Sequence, residues 1–453
     1  MCKMKRKIYQ DMLRWKRDSQ GTSALLIDGA RRVGKSYIAR EFAEREYRSY
    51  IFIDFGQADT RIRDLFERYL NDLDSFFLFL SSLTNTRLYP RESLIVFDEV
   101  QQFPRARMAL KYLVADGRYD YMETGSLISI KKNVADIIIP SEEEHLPMYP
   151  MDFEEFLWAC GNDMLMDFVR DRFARRLSME QLMHRKTMDM LRLYMIVGGM
   201  PQAVAAYVEH REFDRVDRVK RQILSLYRND IAKFAKGYEA KVSGIFDEIP
   251  DMLQRHERKF KLSALKHQAR FRDYEDAFFW LDDAMVVNMC FNATEPGIGL
   301  KLNRDRLTLK CYMADTGLLI SHAFDENTIA SKALYNKLLF NKLEVNKGML
   351  MENLVAQMLR ASGHKLYFFS TPSESSAADR MEIDFLIAKS KTTSRHNISP
   401  IEVKSSSRYT LSSLRKFMAK YSGQAATPTV LHTADVKVED GIVYLPLYMA
   451  PLL

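Results

Sequence analysis

Cysteine is scarce in this sequence, and its few copies lie far apart: Cys2, Cys160, Cys290 and Cys311 are the four in 453 residues. No two form a CxxC pair and none stands at zinc-site spacing from a histidine, which argues against a structural zinc site or a disulfide framework. A reduced, cytoplasmic protein is the expectation. Long apolar runs are missing too. Nothing approaches the roughly 20 residues that cross a bilayer, so no membrane partner is expected. The N-terminus, "MCKMKRKIYQDMLRWKRD", is basic and then amphipathic, without the apolar core of a signal peptide. Low-complexity tracts and fixed-period repeats are absent, which excludes solenoid architectures. Charge of neither sign dominates: 67 basic against 60 acidic residues leave +7, which permits a polyanionic partner without requiring one.

What is present reads as ordinary globular protein, with 47% hydrophobic and 28% charged residues. The length is past the size at which one core usually keeps growing, so more than one domain is expected. The most specific local signal is "GARRVGKS", Gly29 to Ser36, which satisfies G-x-x-x-x-G-K-[ST] in full. It follows "ALLI", a short apolar run suited to a buried strand, and precedes "YIAREFAERE", which has helical composition. In that context Gly29 and Gly34 free the backbone, and the N–H groups of Ala30, Arg31, Arg32 and Val33 would wrap around phosphates. The helix N-terminus through Tyr37 would add positive potential. Lys35 would reach the β and γ phosphates of ATP, and the Ser36 hydroxyl would ligate Mg²⁺.

A second apolar strand, "SLIVFDEVQQFP", ends in Asp98 and Glu99. Asp98 at the strand tip suits a contact to Mg²⁺, and Glu99 would polarise the attacking water, so hydrolysis and not binding alone is the expectation. The bland alternative is two acids opening a surface loop. Further on, "YDYMETGSLI" gives a third short strand ending in Thr124, Gly125 and Ser126. Thr124 or Ser126 would sense the γ phosphate there, unless the segment is a plain turn.

These stretches, with "YPMDFEEFL", "VGGMPQAV" and "LYRNDIAKFA", resemble in order and spacing a large prokaryotic family of AAA-like P-loop ATPases related to archaeal-type and STAND-like ATPases. The family pairs the ATPase with a C-terminal domain of unknown function similar to PD-(D/E)xK nucleases, and the resemblance covers nearly the whole chain. It implies an α/β protein with an ASCE-type sheet, in which an extra strand separates the P-loop strand from the Walker B strand. It also implies a helical lid over the nucleotide. Asn is frequent at the family's sensor position, where this chain offers Thr124 or Ser126. Arg105, Arg107 and Arg228 are candidates for a charge-stabilising finger, though each reads more readily as an ordinary surface or salt-bridged arginine.

The organisation expected is an ATPase core over 1–150, a helical lid over 151–239, a winged-helix-like domain over 240–325 and a nuclease-like α/β domain over 326–453. The lid is broken chiefly at "GGMPQ", where a corner and a helix starting near Pro201 are predicted. In the third segment, helix, helix and hairpin suit a winged helix. Arg255, Arg258, Lys259, Lys261, Lys266, Arg270 and Arg272 would contact DNA or RNA phosphates. The recognition helix, however, carries Asp273, Glu275, Asp276, Asp282 and Asp283, which favours a hinge or a protein-docking role. In the fourth segment, "MEIDFLIA" and "PIEVKSS" read as adjacent strands that place Asp384, Glu402 and Lys404 on one edge. By resemblance to the nuclease core, Glu352 on the preceding helix would be a further acid. Two carboxylates would hold Mg²⁺ and Lys404 would activate water against a phosphodiester. The alternative is a binding module in which the charges survive as a buried ion-pair network. An ATP-dependent homo-oligomer is compatible with either reading.

Overall fold

The structure, a computed structural model, describes residues 4–126, 141–255, 259–266, 270–297, 299–324, 347–371, 376, 379–388, 397–406 and 408–453. Arg258 and the start of the fourth expected segment lie outside the described residues. The chain forms two compact units, Lys3–Tyr149 with Asp283–Met285, and Pro150–Asp282 with Val286–Leu453 and Met1–Cys2. Among the described residues no helix is long and apolar enough to cross a membrane.

The N-terminal unit is built on five strands, β1 (Ala24–Asp28), β2 (Ser49–Asp54), β3 (Ser93–Asp98), β4 (Asp120–Gly125) and β5 (Glu143–Pro147). They pair in the order β2-β3-β4-β1-β5, every pairing parallel. Continuous apolar runs such as "ALLI" and "SLIVF" suit this arrangement because a parallel sheet is covered on both faces; every residue of β1, β3 and β4 is buried. Strand β4 lies between β1 and β3, the extra strand that the resemblance implies. Among the described residues this unit contributes the helices α1 (Ile8–Ser19), α2 (Lys35–Glu46), α3 (Thr60–Arg68), α4 (Leu73–Thr84) and α5 (Pro104–Asp116). Phe55, Phe66, Phe76 and Phe97 form an aromatic core beneath them, with ring centroids 5.1–5.8 Å apart in offset, edge-biased contacts.

The larger unit opens with helices α6 (Phe153–Ala159), α7 (Leu165–Arg175), α8 (Gln181–Val197), α9 (Pro201–His210), α10 (Phe213–Phe234) and α11 (Glu239–Gln254). The corner after α8 falls at Gly198, and α9 begins on Pro201, whose fixed φ and missing N–H suit a first helical position. The Gly199 N–H donates to Asp315 Oδ2 at 2.5 Å, and Gln357 links Asp315 to the Tyr194 hydroxyl, so the corner is packed into a buried polar junction.

The segment expected as a winged helix contributes two short 3₁₀ turns, the helix α12 (Glu275–Asp283) and the hairpin β6 (Val287–Ala293) and β7 (Arg304–Met313). The hairpin is no free-standing wing. Strand β6 pairs in parallel with β8 (Tyr367–Ser370), inside an eight-stranded sheet ordered β12-β13-β11-β10-β9-β8-β6-β7. The reason is burial: all seven residues of β6 are enclosed, which a solvent-flanked wing would not allow. The rest of that sheet comprises β9 (Glu382–Ala388), β10 (Ile398–Val403), β11 (Thr429–His432), β12 (Lys437–Glu439) and β13 (Ile442–Pro446), with α13 (Thr316–Ala323), α14 (Lys347–Ala361) and α15 (Ser412–Lys420). Helix α14, antiparallel strands β8, β9 and β10 and helix α15 follow one another in the order that the sequence suggests, and β11 then pairs in parallel with β10.

Candidate functional site: a phosphate loop and a buried charge cluster

Parallel strands put their C-terminal ends on one edge of a sheet, and in open α/β sheets ligands bind there. Here β1 ends at Asp28, β3 at Asp98 and β4 at Gly125, with Ile27 opposite Thr124 in the register. The loop Gly29–Gly34 leaves β1 and enters α2 through Gly34, whose φ of 100° is left-handed backbone that glycine adopts without steric cost. Ala30 and Val33 are buried, whereas Arg31, Arg32 and Tyr37 lie on the exposed side of the loop. Lys35 turns back inside it, and its Nζ donates to the carbonyls of Gly29 and Ala30, both at 2.9 Å. Burial pushes the Lys35 ammonium below its ordinary value, while Glu99, Asp98 and Asp28 oppose that shift.

The structure brings Ser36, Asp98 and Thr124 together. Ser36 Oγ donates to Asp98 Oδ1 at 2.8 Å, and Thr124 Oγ1 donates to the same oxygen. The Glu99 N–H in turn donates to Thr124 Oγ1 at 3.4 Å, and the Gln101 amide donates to the Glu99 carboxylate. Thr124 is thus the sensor candidate bonded to Asp98; Ser126 is half-buried just past the strand. A hydroxyl and a carboxylate in contact suit Mg²⁺, which is held by one or two such oxygens and its own waters.

The arginines once considered for a finger have other partners. Arg107 is 1% exposed and grips Glu143 at 2.9 and 2.6 Å with Glu123 at 3.8 Å, so it is committed to its own core. Arg105 binds the Phe66 carbonyl and Glu67, and Arg228 pairs with Asp247 at 3.3 Å. The sequence reading missed Arg6. Its guanidinium donates to Val33 O at 2.8 Å and Tyr149 O at 2.7 Å, bracing the apex of the phosphate loop. Nothing in the local pattern marks it out from the other basic residues of the N-terminus.

In the larger unit, Asp384 and Glu402 stand near enough to interact, and Lys404 bonds the Glu402 carboxylate. Asp384 Oδ2 accepts the Val403 N–H at 2.8 Å. Glu402 is 4% exposed, and burial, with the charge of Asp384, pushes its carboxyl up to about 8; among the described residues its Oε1 finds no hydrogen-bond partner. Glu352 joins the cluster by a route that the sequence did not show. Its Oε1 accepts from Lys310 Nζ at 3.2 Å and from the Tyr312 hydroxyl, and Lys310 Nζ also reaches Glu382 at 2.9 Å. Lys310 and Tyr312 sit on β7, read from sequence as part of a wing. Among the described residues no three His, Cys, Asp or Glu side chains converge on one metal position. Lys310 thus bridges Glu352 and Glu382, so these two acids share an ammonium, while Asp384 and Glu402 remain neighbours on the adjacent strands.

Comparisons with known proteins bear on both regions. Residues 21–157 match the family model of an AAA domain, residues 188–328 a domain of unknown function (DUF8612), and residues 347–449 another (DUF4143). The second match runs across the boundary expected near 240. No curated protein matches the chain. Solved structures that align with it include the Aeropyrum pernix ORC2 protein in ADPNP-ADP complexes, at 12% identity over 76% of this chain and 96% of that one, with a TM-score of 0.36. The Aeropyrum pernix ORC1 protein in complex with DNA aligns at 12% identity over 72% and 94%, with a TM-score of 0.28. The segment 21–157 is thus similar to AAA domains, and it carries a complete phosphate loop on a parallel sheet of its own.

Proposed function

We propose that the N-terminal domain binds ATP with Mg²⁺ and hydrolyses it, and that the nucleotide cycle sets the state of the larger unit. The observation that supports this reading is the meeting of Lys35, Ser36, Asp98 and Thr124 at one sheet edge, beside the backbone of the phosphate loop. Lys35 would exchange two carbonyl partners for phosphate oxygens, a swap in which the buried ammonium stays fully hydrogen-bonded. Ser36 and Asp98 would hold Mg²⁺, Glu99 would orient the attacking water, and Thr124 would report the γ phosphate to Asp98. The test is a nucleotide titration and a phosphate-release assay. Lys35→Ala should abolish binding, whereas Glu99→Gln should retain it and lose turnover by about 10²–10⁴-fold. A wild-type protein that takes up no ATP would sink the reading.

For the larger unit, one observation favours a non-cleaving interaction module: the Lys310 ammonium sits between two carboxylates of the cluster. The unit would then respond to nucleotide by presenting a surface to a protein, DNA or RNA without cutting it. Incubation with DNA and RNA in Mg²⁺ or Mn²⁺ tests this. Cleavage that disappears in Asp384→Ala would assign a nuclease instead, and turnover that rises with nucleic acid would identify that polymer as the partner.

A further inference from the structure

Lys310 is 1% exposed, and an ammonium so enclosed must be paired or it costs several kcal/mol. It has Glu352 at 3.2 Å and Glu382 at 2.9 Å, and its Nζ lies 5.0 Å from the centroid of the Phe368 ring, whose face also favours a cation. The strand carrying it is fixed on one side by β6, with Cys290 opposite Lys310 in the register. Tyr312, two residues on and therefore on the same face, bonds the same Glu352 oxygen. The lysine thus comes from the segment matched as one family domain, and its carboxylates come from the segment matched as another.

We propose that the Lys310 ammonium is the built-in cation of this cluster, tethered where Glu352 and Glu382 would otherwise call for a divalent metal. This deepens the reading of the larger unit as non-cleaving and rests on it. A metal entering between these carboxylates would meet a fixed positive charge that covalent attachment keeps from leaving. Two like charges at such a separation in a dry site repel strongly.

The experiment is a Mn²⁺ titration followed by electron paramagnetic resonance and by thermal unfolding, without nucleotide. Every protein carries Asp98→Asn to silence the phosphate-loop metal contact. The parent should leave the free Mn²⁺ signal undiminished and its Tm unmoved. Lys310→Met keeps an unbranched apolar stem, one atom shorter, and removes the charge; it should unfold at lower temperature in chelator, regain at least about 4 °C with Mn²⁺, and bind the ion at least about tenfold more tightly than the parent. Adding Glu352→Gln to Lys310→Met should cancel the gain. If Lys310→Met is insoluble, refolding it with Mn²⁺ replaces the melt: recovery only with the metal supports the proposal, and no recovery in either condition overturns it. Equal Mn²⁺ uptake by parent and Lys310→Met also overturns it. Metal-dependent cleavage by the parent would instead defeat the non-cleaving reading itself, so the two failures are distinguishable.

Discussion

Arg6 carries two hydrogen bonds from one guanidinium to backbone carbonyls on either side of a tight passage, Val33 in the phosphate loop and Tyr149 beyond β5. Bonds of a charged donor to enclosed carbonyls contribute about 1.5–3 kcal/mol each when both partners are fixed. Removing them should let the loop apex sample conformations that do not fit phosphates. The expected result for Arg6→Ala is an ATP Kd raised about tenfold, with the circular dichroism spectrum unchanged and partial recovery in Arg6→Lys. A fluorescent-nucleotide titration measures it, and an unaltered Kd would reduce Arg6 to a strut. Glu402 makes the second residue-scale case. Its carboxyl rises from 4.5 to about 8, so between those values the folded chain holds a proton that the unfolded chain has released. The stability it contributes is complete below pH 4.5 and is lost as pH climbs through 8. Calorimetry should show Tm falling between pH 5 and 8, and the slope should flatten in Glu402→Gln.

At the scale of elements, legibility tracks the distance over which a pattern must be read. The phosphate loop is local: an apolar strand, six loop residues and a helix follow one another where "ALLI", "GARRVGKS" and "YIAREFAERE" suggest, the helix beginning already at Lys35. Strand β3, ending on Asp98, is equally plain. The hairpin β6–β7 was readable as a hairpin, but its membership of the C-terminal sheet depends on Phe291 meeting Tyr367, a pairing that no local periodicity records. Lys310 was hidden for the same reason. A lone lysine in "TLKCYMAD" looks like a solvated strand residue until its acid, 42 positions on, arrives beside it. The corner "VGGMPQ" was legible as a break, though its purpose was not. A Cβ on Gly198 would lie 2.3 Å from Asp315 Oδ1, and its φ of 83° is left-handed. Gly198→Ala is therefore expected to destabilise the larger unit by about 2 kcal/mol or more, measured as a shift in its urea midpoint.

On the scale of the whole molecule, the sheet of the larger unit is assembled from chain segments on either side of residues 325–346. Strands β6 and β7 precede that stretch, whereas β8 to β13 and helix α14 follow it. Two fragments, 1–324 and 347–453, should therefore recognise each other through the β6–β8 pairing and the ion pairs of Lys310. Co-expression with a tag on one piece should recover both, and Lys310→Met should lower the yield of the untagged piece. Recovery of the shorter fragment alone as a folded, soluble protein would contradict this dependence. Oligomerisation is a separate question at this scale, since Arg107 is locked in its own core. Light scattering on Glu99→Gln with and without ATP tests whether a neighbouring copy is recruited.

Lys310 also has a bearing on how the protein is made. During translation it leaves the ribosome 42 residues ahead of Glu352, an interval of about 2–8 s at ordinary elongation rates. Throughout that time the hairpin carries a cation that has no reason to enter an apolar environment, and the β6 edge awaits a strand still unmade. An unpaired ammonium is costly to bury, so closure onto a wrong apolar partner during the wait would be disfavoured. Once helix α14 delivers its carboxylate, pairing with Glu352 would remove that cost and favour closure onto the native partner.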